Sequence, residues 1–213
     1  MSPVVEPTLD LERDLHAGGA EWVIGCDEVG RGAIAGPVAV GVGAVRGDCL
    51  EVPAGLRDSK LLSEKRREAL FPAAADWCHR WAVGLADADE VDRIGIVAAL
   101  GLAGRRALTE LHHQGVGVLR SVVLLDGSHD WLTPALGSPP PVRTRVKADR
   151  DCASVAAASV LAKVHRDRLM VAADAEHPGY AWASNKGYGS AAHYAGLSEL
   201  GPSPLHRVTW LRD

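Results

Sequence analysis

Residues 22–38 read Trp-Val-Ile-Gly-Cys-Asp-Glu-Val-Gly-Arg-Gly-Ala-Ile-Ala-Gly-Pro-Val, and the order of residue types in this stretch decides the fold. Trp22 to Cys26 is a short apolar run of strand type. Two adjacent carboxylates follow, Asp27 and Glu28, and then Gly30-Arg31-Gly32, whose backbone is bare on either side of one long cation. Pro37 to Val45 is again apolar and strand-like, close enough to pair antiparallel with the first run. Strand, glycine-rich turn, strand thus opens a domain whose sheet is mixed. A dinucleotide-binding reading of the glycines fails, because the last, Gly36, falls one position late and a strand follows it, not a helix.

Outward from this unit, strands and helices alternate, which defines an α/β domain. Ser63 caps a predicted helix from Glu64 to His79, with Leu70, Phe71, Ala74 and Trp77 on one face. Arg80 to Ala86 reads as a strand. A single helix is expected from Asp87 or Asp89 to the His112–Gly115 stop, on the spacing of Val91, Ile94, Ala98, Leu102, Leu108 and Leu111. Val116 to Leu125 is predicted as a strand delivering Asp126, and Val142 to Lys147 as one with an apolar and a basic face ahead of Asp149. Cys152 to Ala173 is a helix rich in Ala and Ser, suited to lie close against the sheet and bury its first half. A short helix is expected around Ser190 to Leu200. Residues 1–20 form an expected tail with one helical turn at Leu9 to Leu15, and residues 21–213 are expected to form one domain ending in a short helical and loop segment.

With 213 residues and a net charge of −4, the chain is sized for one domain and is not a nonspecific nucleic-acid coat, although a local basic groove stays compatible with that charge. Cys26, Cys49, Cys78 and Cys152 lack any C-x-x-C spacing and read as reduced thiols. The N-terminus lacks an apolar leader and no segment is long enough to span a membrane, so a cytoplasmic protein is expected.

Asp27, Asp126 and Asp149 each close a predicted strand, where sites form in open α/β sheets. Together with Glu28 they make four carboxylates that would repel one another unless divalent cations neutralise them, and an all-oxygen set favours Mg²⁺ or Mn²⁺. Neighbouring strand residues point to opposite faces, so a bend at Glu28, helped by Gly30, is expected to bring both acids to one site.

These segments also carry a resemblance. G-C-D-E-V-G-R-G-A-I-A-G-P-V from Gly25, D-S-K from Asp58, L-D-G from Leu125, K-A-D from Lys147, A-A-A-S-V-L-A-K-V-H-R-D-R-L-M from Ala156, N-K-G-Y-G from Asn185 and G-P-S-P-L-H-R from Gly201 together resemble bacterial ribonuclease HII, the type 2 ribonuclease H, in family order over nearly the whole chain. The resemblance implies a ribonuclease H-like fold, a five-stranded mixed β-sheet flanked by α-helices, with Asp27, Glu28, Asp126 and Asp149 as catalytic and metal-holding residues for two divalent ions. It implies hydrolysis of the RNA strand of RNA–DNA hybrids and cutting on the 5′ side of ribonucleotides embedded in duplex DNA, leaving 3′-hydroxyl and 5′-phosphate ends; a monomer is expected. The backbone of Gly30, Arg31 and Gly32 and the ring of Tyr188 are implied readers of the 2′-hydroxyl. Lys60, Lys163, Arg166 and Lys186 are candidate phosphate contacts. Two departures stand out: Asn185 replaces a common His, putting the positioning of the Tyr188 loop in question, and Asp151-Cys152 replaces a common Lys-Ser, adding charge near Asp149. Another ribonuclease H-fold nuclease, such as a junction resolvase, and a non-catalytic nucleic-acid-binding module are the competing readings.

Overall fold

The structure, a computed structural model, describes residues 6–49 and 51–211. Five strands form one mixed sheet in the order β3-β2-β1-β4-β5. They are β1 (Trp22–Val29), β2 (Val38–Val45), β3 (Arg80–Ala86), β4 (Ser121–Asp126) and β5 (Val142–Arg145). The pairs β1–β2 and β2–β3 are antiparallel, while β1–β4 and β4–β5 are parallel. The helices are α1 (Asp10–Ala17), α2 (Glu64–Trp77), α3 (Ala88–Ile94), α4 (Ile96–His113), α5 (Ala148–Asp151), α6 (Ala153–Glu176), α7 (Trp182–Asn185) and α8 (Ala191–Leu200). Both faces of the sheet are covered. Ile24, Cys26, Val40, Val42 and Leu125 join a core with Leu100, Ala103 and Leu111 of α4, whereas Val23, Val45 and Leu124 join one with Val155, Ala156 and Val160 of α6.

The small residues of α6 do what their size allows. Every residue from Ala153 to Ala162 is buried, and the helix lies so close to β1 that a side-chain carbon on Gly25 would sit 2.2 Å from the Ser154 carbonyl carbon. This contact places the start of α6 under the end of the strand that carries Asp27.

Several boundaries differ from the sequence expectation. The predicted helix after Asp87 is two helices, because Gly95 takes φ +78° and resets the phase: Ala99, Ala103 and Ala107 turn inward and Ile94 is left exposed. The strand predicted from Val116 begins only at Ser121, since Val118–Arg120 is a 3₁₀ turn. The strand predicted to Lys147 ends at Arg145. As an edge strand, β5 half-buries only Val142 and leaves Arg143, Thr144 and Arg145 exposed. The expected bend at Glu28 is absent: β1 pairs with β2 without interruption through Val29↔Ala39.

The segment expected as a tail is packed from Thr8 onward. Leu9 and Leu15 are buried against the α6 side of the sheet, and Thr8 bridges to Cys152. Glu12, also buried, accepts the Ser154 amide (2.9 Å) and hydroxyl (2.7 Å), so a carboxylate sits on the first turn of α6 where the helix lacks a side-chain cap of its own. Burial pushes the Glu12 carboxyl above its ordinary range. All four cysteines are free. Among the described residues no helix is long and apolar enough to cross a membrane.

Candidate active site

The acids gather at the end of the sheet where β1 outruns β4. Parallel pairing stops at Cys26↔Leu125, so Asp27 and Glu28 project past it, beside Asp126 at the end of β4. By strand alternation Asp27 and Asp126 share the α6 face, and Glu28 falls on the other. Asp149 is not at a strand end. Lys147 takes a left-handed conformation (φ 62°) that turns the chain out of β5 into α5, and Asp149 lies on that helix. The same turn aims the free amides of Ala148 and Asp149 at Asp126 Oδ1, at 2.7 and 3.4 Å.

Burial sets the electrostatics. Asp27 is only 1% exposed. Its Oδ1 accepts the Glu28 amide at 2.8 Å, while its Oδ2 is buried with no partner. Burial, and then the charge of Glu28, push the Asp27 carboxyl up to about 8. Burial also raises Glu28, against the pull of Arg31, and raises Asp126, whose neighbour Asp149 adds to the effect. Lys60 reaches into this field from a 3₁₀ turn (Ser59–Leu61), donating from Nζ to Asp149 Oδ2 at 3.0 Å. Burial pulls the Lys60 ammonium down, but Asp27 and Asp149 outweigh it and hold the group above its ordinary value.

Among the described residues no three His, Cys, Asp or Glu side chains converge closely enough to enclose a metal ion. Glu28 accounts for part of this, since it turns to Arg31, whose Nη1 lies 3.7 Å from Oε1. The donor set nevertheless fits hard divalent cations: it is all oxygen, Asp27 and Asp126 share one face with Asp149 on the helix that caps Asp126, and the buried Asp27 Oδ2 is an acceptor without a hydrogen-bond partner. The extra charge feared at Asp151 is already matched, because Arg150 Nε (2.7 Å) and Arg145 Nη2 (3.1 Å) both donate to it.

Next to the acids is a groove of about 180 Å³ walled by Glu28, Gly30–Gly32, Ser59, Lys60, Lys163 and Tyr188. Gly30 makes the turn with φ +82°, and a side chain there would strike the Arg166 guanidinium at 2.0 Å. The carbonyls of Gly30 and Arg31 are already engaged by Arg207 at 2.8 and 2.9 Å. The amides of Arg31 and Gly32 make no hydrogen bond among the described residues. Tyr188 is 36% exposed, and its ring lies under the Arg166 guanidinium (5.6 Å to the centroid) and near the Lys163 ammonium (6.0 Å). Asn185 secures this loop: its side-chain amide donates to the Tyr180 carbonyl at 2.8 Å and its oxygen accepts the Gly187 amide at 2.9 Å.

The candidate phosphate contacts divide. Lys60 and Lys163 line the groove, with Lys163 Nζ also held by Asp167 at 2.6 Å. Arg166 does not face it: fully buried, it donates to the carbonyls of Pro37 (2.8 Å), Lys186 (2.8 Å) and Ala35 (3.1 Å). Lys186 is buried too, its ammonium held by the Ala183 carbonyl and by Glu64 at 3.3 Å. A sequence shows cations, not which way the fold turns them: Arg166 and Lys186 point into the protein, and Arg207, which the sequence reading does not single out, reaches the groove's backbone. Its signal was present only as the quoted L-H-R motif.

The sheet order, the flanking helices and the acid-lined end define a protein of the ribonuclease H-like fold. Ribonuclease H2 of Pyrococcus horikoshii OT3 superposes with a TM-score of 0.64 at 25% identity, over 89% of this chain and 93% of that one. Bst-RNase HIII, solved in complex with Mn²⁺, gives 0.73 at 23% identity over 92% and 68%. In sequence, ribonuclease HII of Streptomyces avermitilis is 46% identical over 98% of this chain and 85% of its own length. The family pattern described as Ribonuclease HII matches residues 24–213, so the chain belongs to the ribonuclease HII family and is a metal-dependent endonuclease with ribonuclease H activity.

Proposed function

We propose that this enzyme hydrolyses the RNA strand of RNA–DNA hybrids and cuts on the 5′ side of a ribonucleotide embedded in duplex DNA, leaving 3′-hydroxyl and 5′-phosphate ends. The observation that carries this reading is the shared wall: Glu28 and Lys60 belong both to the acid cluster and to the groove of Gly30–Gly32 and Tyr188. A phosphate placed at the acids therefore puts its sugar against bare backbone.

Asp27, Asp126 and Asp149 form the part of the site that would hold two divalent cations, Mg²⁺ or Mn²⁺, with Glu28 turning in from the rim. When bound, the cations supply Lewis-acid activation of water for in-line attack and charge stabilisation at the departing 3′-oxygen. The chain's own groups choose the nucleotide. With two carbonyls occupied by Arg207, the turn offers the Arg31 and Gly32 amides, which are donors and suit the 2′-oxygen, the atom that separates RNA from DNA. A deoxyribose leaves such donors unpaired, and sites built on a specific hydrogen bond reject analogues lacking it by about four orders of magnitude. Tyr188 packs on the neighbouring sugar, and Lys60 and Lys163 offer charge to phosphates. The four free cysteines suit a cytoplasmic enzyme, working as a monomer.

The test compares cleavage of a duplex with one ribonucleotide, the same duplex in all-DNA form and a four-way junction, with Mg²⁺ and with Mn²⁺. Cutting confined to the ribonucleotide is expected. Equal cutting of all-DNA or of the junction would favour a resolvase, and activity unchanged in Asp126→Asn would favour a non-catalytic module carrying a contaminant.

A further inference from the structure

The motif Leu205-His206-Arg207 enters the reading above only through the two carbonyls that Arg207 occupies, yet it connects to both walls of the groove. Arg207 is fully buried. Its Nη2 donates to Gly30 O (2.8 Å) and Gly36 O (3.1 Å), its Nη1 to Arg31 O (2.9 Å) and its Nε to Gly36 O (3.2 Å). The backbone adds two bonds across the same gap: the Arg207 amide to Ile34 O (2.9 Å) and the Gly36 amide to Leu205 O (2.7 Å).

His206 reaches the other wall through a relay whose proton positions follow by elimination. The Ser203 amide donates to His206 Nδ1 at 2.9 Å, so the ring proton of a neutral His206 is on Nε2. That proton goes to His193 Nε2 at 3.0 Å, which also accepts the Trp182 indole N–H at 3.0 Å. His193 Nε2 is therefore unprotonated, and its Nδ1–H donates to the Tyr188 carbonyl at 2.9 Å. Burial pushes His206 down to about 4 and lowers His193, which keeps both rings in this neutral pattern.

We propose that residues 203–207 are the strut that sets the spacing of the sugar-reading groove, with Arg207 fixing the Gly30–Gly32 wall and His206, through His193, fixing the Tyr188 wall. This rests on the reading of the groove given above. Neither side chain reaches substrate, so both are positioning residues. The physical reason for a strut is the tolerance of the chemistry: a displacement of about 1 Å away from the reacting atoms can cost about 100-fold in rate. Arg166 also binds both walls, through Ala35 O and Lys186 O, but from α6. Residues 203–207 join them from the C-terminal segment.

The experiment measures single-turnover cleavage of a duplex containing one ribonucleotide by Arg207→Lys, His193→Phe, Tyr188→Ala and the double variant His193→Phe/Tyr188→Ala. Folded fraction and Mn²⁺ affinity are measured alongside. The expected result is a loss of about 100-fold in rate per folded molecule for Arg207→Lys and His193→Phe, with Mn²⁺ affinity unchanged. The double variant should be no slower than Tyr188→Ala, since both act on one wall. His206→Gln, which keeps an N–H donor for His193, should lose less than His193→Phe, and an equal loss would count against the relay. Wild-type rates per folded molecule, or losses that multiply in the double variant, would overturn the strut. If one single variant loses its fold, the other decides. Equal cutting of all-DNA duplex by the unaltered enzyme would instead bring down the reading of the groove, and the strut with it.

Discussion

The acid cluster and the groove beside it both bury charge, and they treat it in opposite ways. On the acid side Asp27 Oδ2 has no hydrogen-bond partner, three carboxyls are raised by burial, and Lys60, with Arg31 at Glu28, tempers them. On the groove side Arg166 and Arg207 are buried just as fully, but each donates to three backbone carbonyls, and two histidines share one consistent set of protons. Buried charge is expensive unless paired, so the difference marks function. On the proposed reading, the unsatisfied half awaits a ligand's positive charge, and the satisfied half holds a shape before any ligand arrives.

The sharpest way to break this contrast is a pair of substitutions with opposite effects on metal-free stability. Asp27→Asn should cost about 1,000-fold in cleavage, roughly 4 kcal/mol of transition-state stabilisation, and yet raise the stability of the metal-free protein. The sign follows from linkage. The folded Asp27 carboxyl titrates at about 8, well above its ordinary 3.8, so its favourable, protonated state is complete at acid pH and is lost as pH rises through that window. In a chelator, the unfolding free energy of Asp27→Asn should match that of the unaltered protein near the acid end and exceed it increasingly toward about pH 8, by on the order of 5 kcal/mol. Arg207→Met should do the reverse, destabilising by about 3 kcal/mol because the carbonyls of Gly30, Arg31 and Gly36 lose their donor. A smaller effect sharpens the boundary of the acid field: Asp151→Ser removes a charge already matched by Arg145 and Arg150. It should shift Mn²⁺ affinity by no more than about twofold and stability by under about 1 kcal/mol.

How much of this was readable in advance follows from range. Strand types, the mixed sheet and the close α6 contact rest on local periodicity and residue size, so β1, β2, β3 and α6 came out within a few residues of their predicted spans. The misses come from longer range. The Gly95 break needs a positive φ that a periodic apolar pattern does not announce. The position of Asp149 on α5 depends on a left-handed Lys147, a residue type that seldom adopts that conformation. Asp27, Glu28 and Asp126 could be placed at one end of the sheet because each follows an apolar strand-type run directly. The inward turn of Arg166 and Lys186 was not visible, because the sign of a charge says nothing about the carbonyls awaiting it. The role of Arg31 was also hidden: its guanidinium approaches Glu28, a neighbour three residues away that only the turn at Gly30 brings near.

Hydrogen–deuterium exchange of the unaltered protein with and without Mn²⁺ tests the contrast most directly. Protection should rise around residues 27–28, 58–60, 126–127 and 147–150, where charge is unsatisfied, and stay unchanged at 30–37, 185–188 and 203–207, where the shape is already set. A gain of protection in the latter segments comparable to that at the acids would contradict the account, because the groove would then be built by the metal and not by the chain.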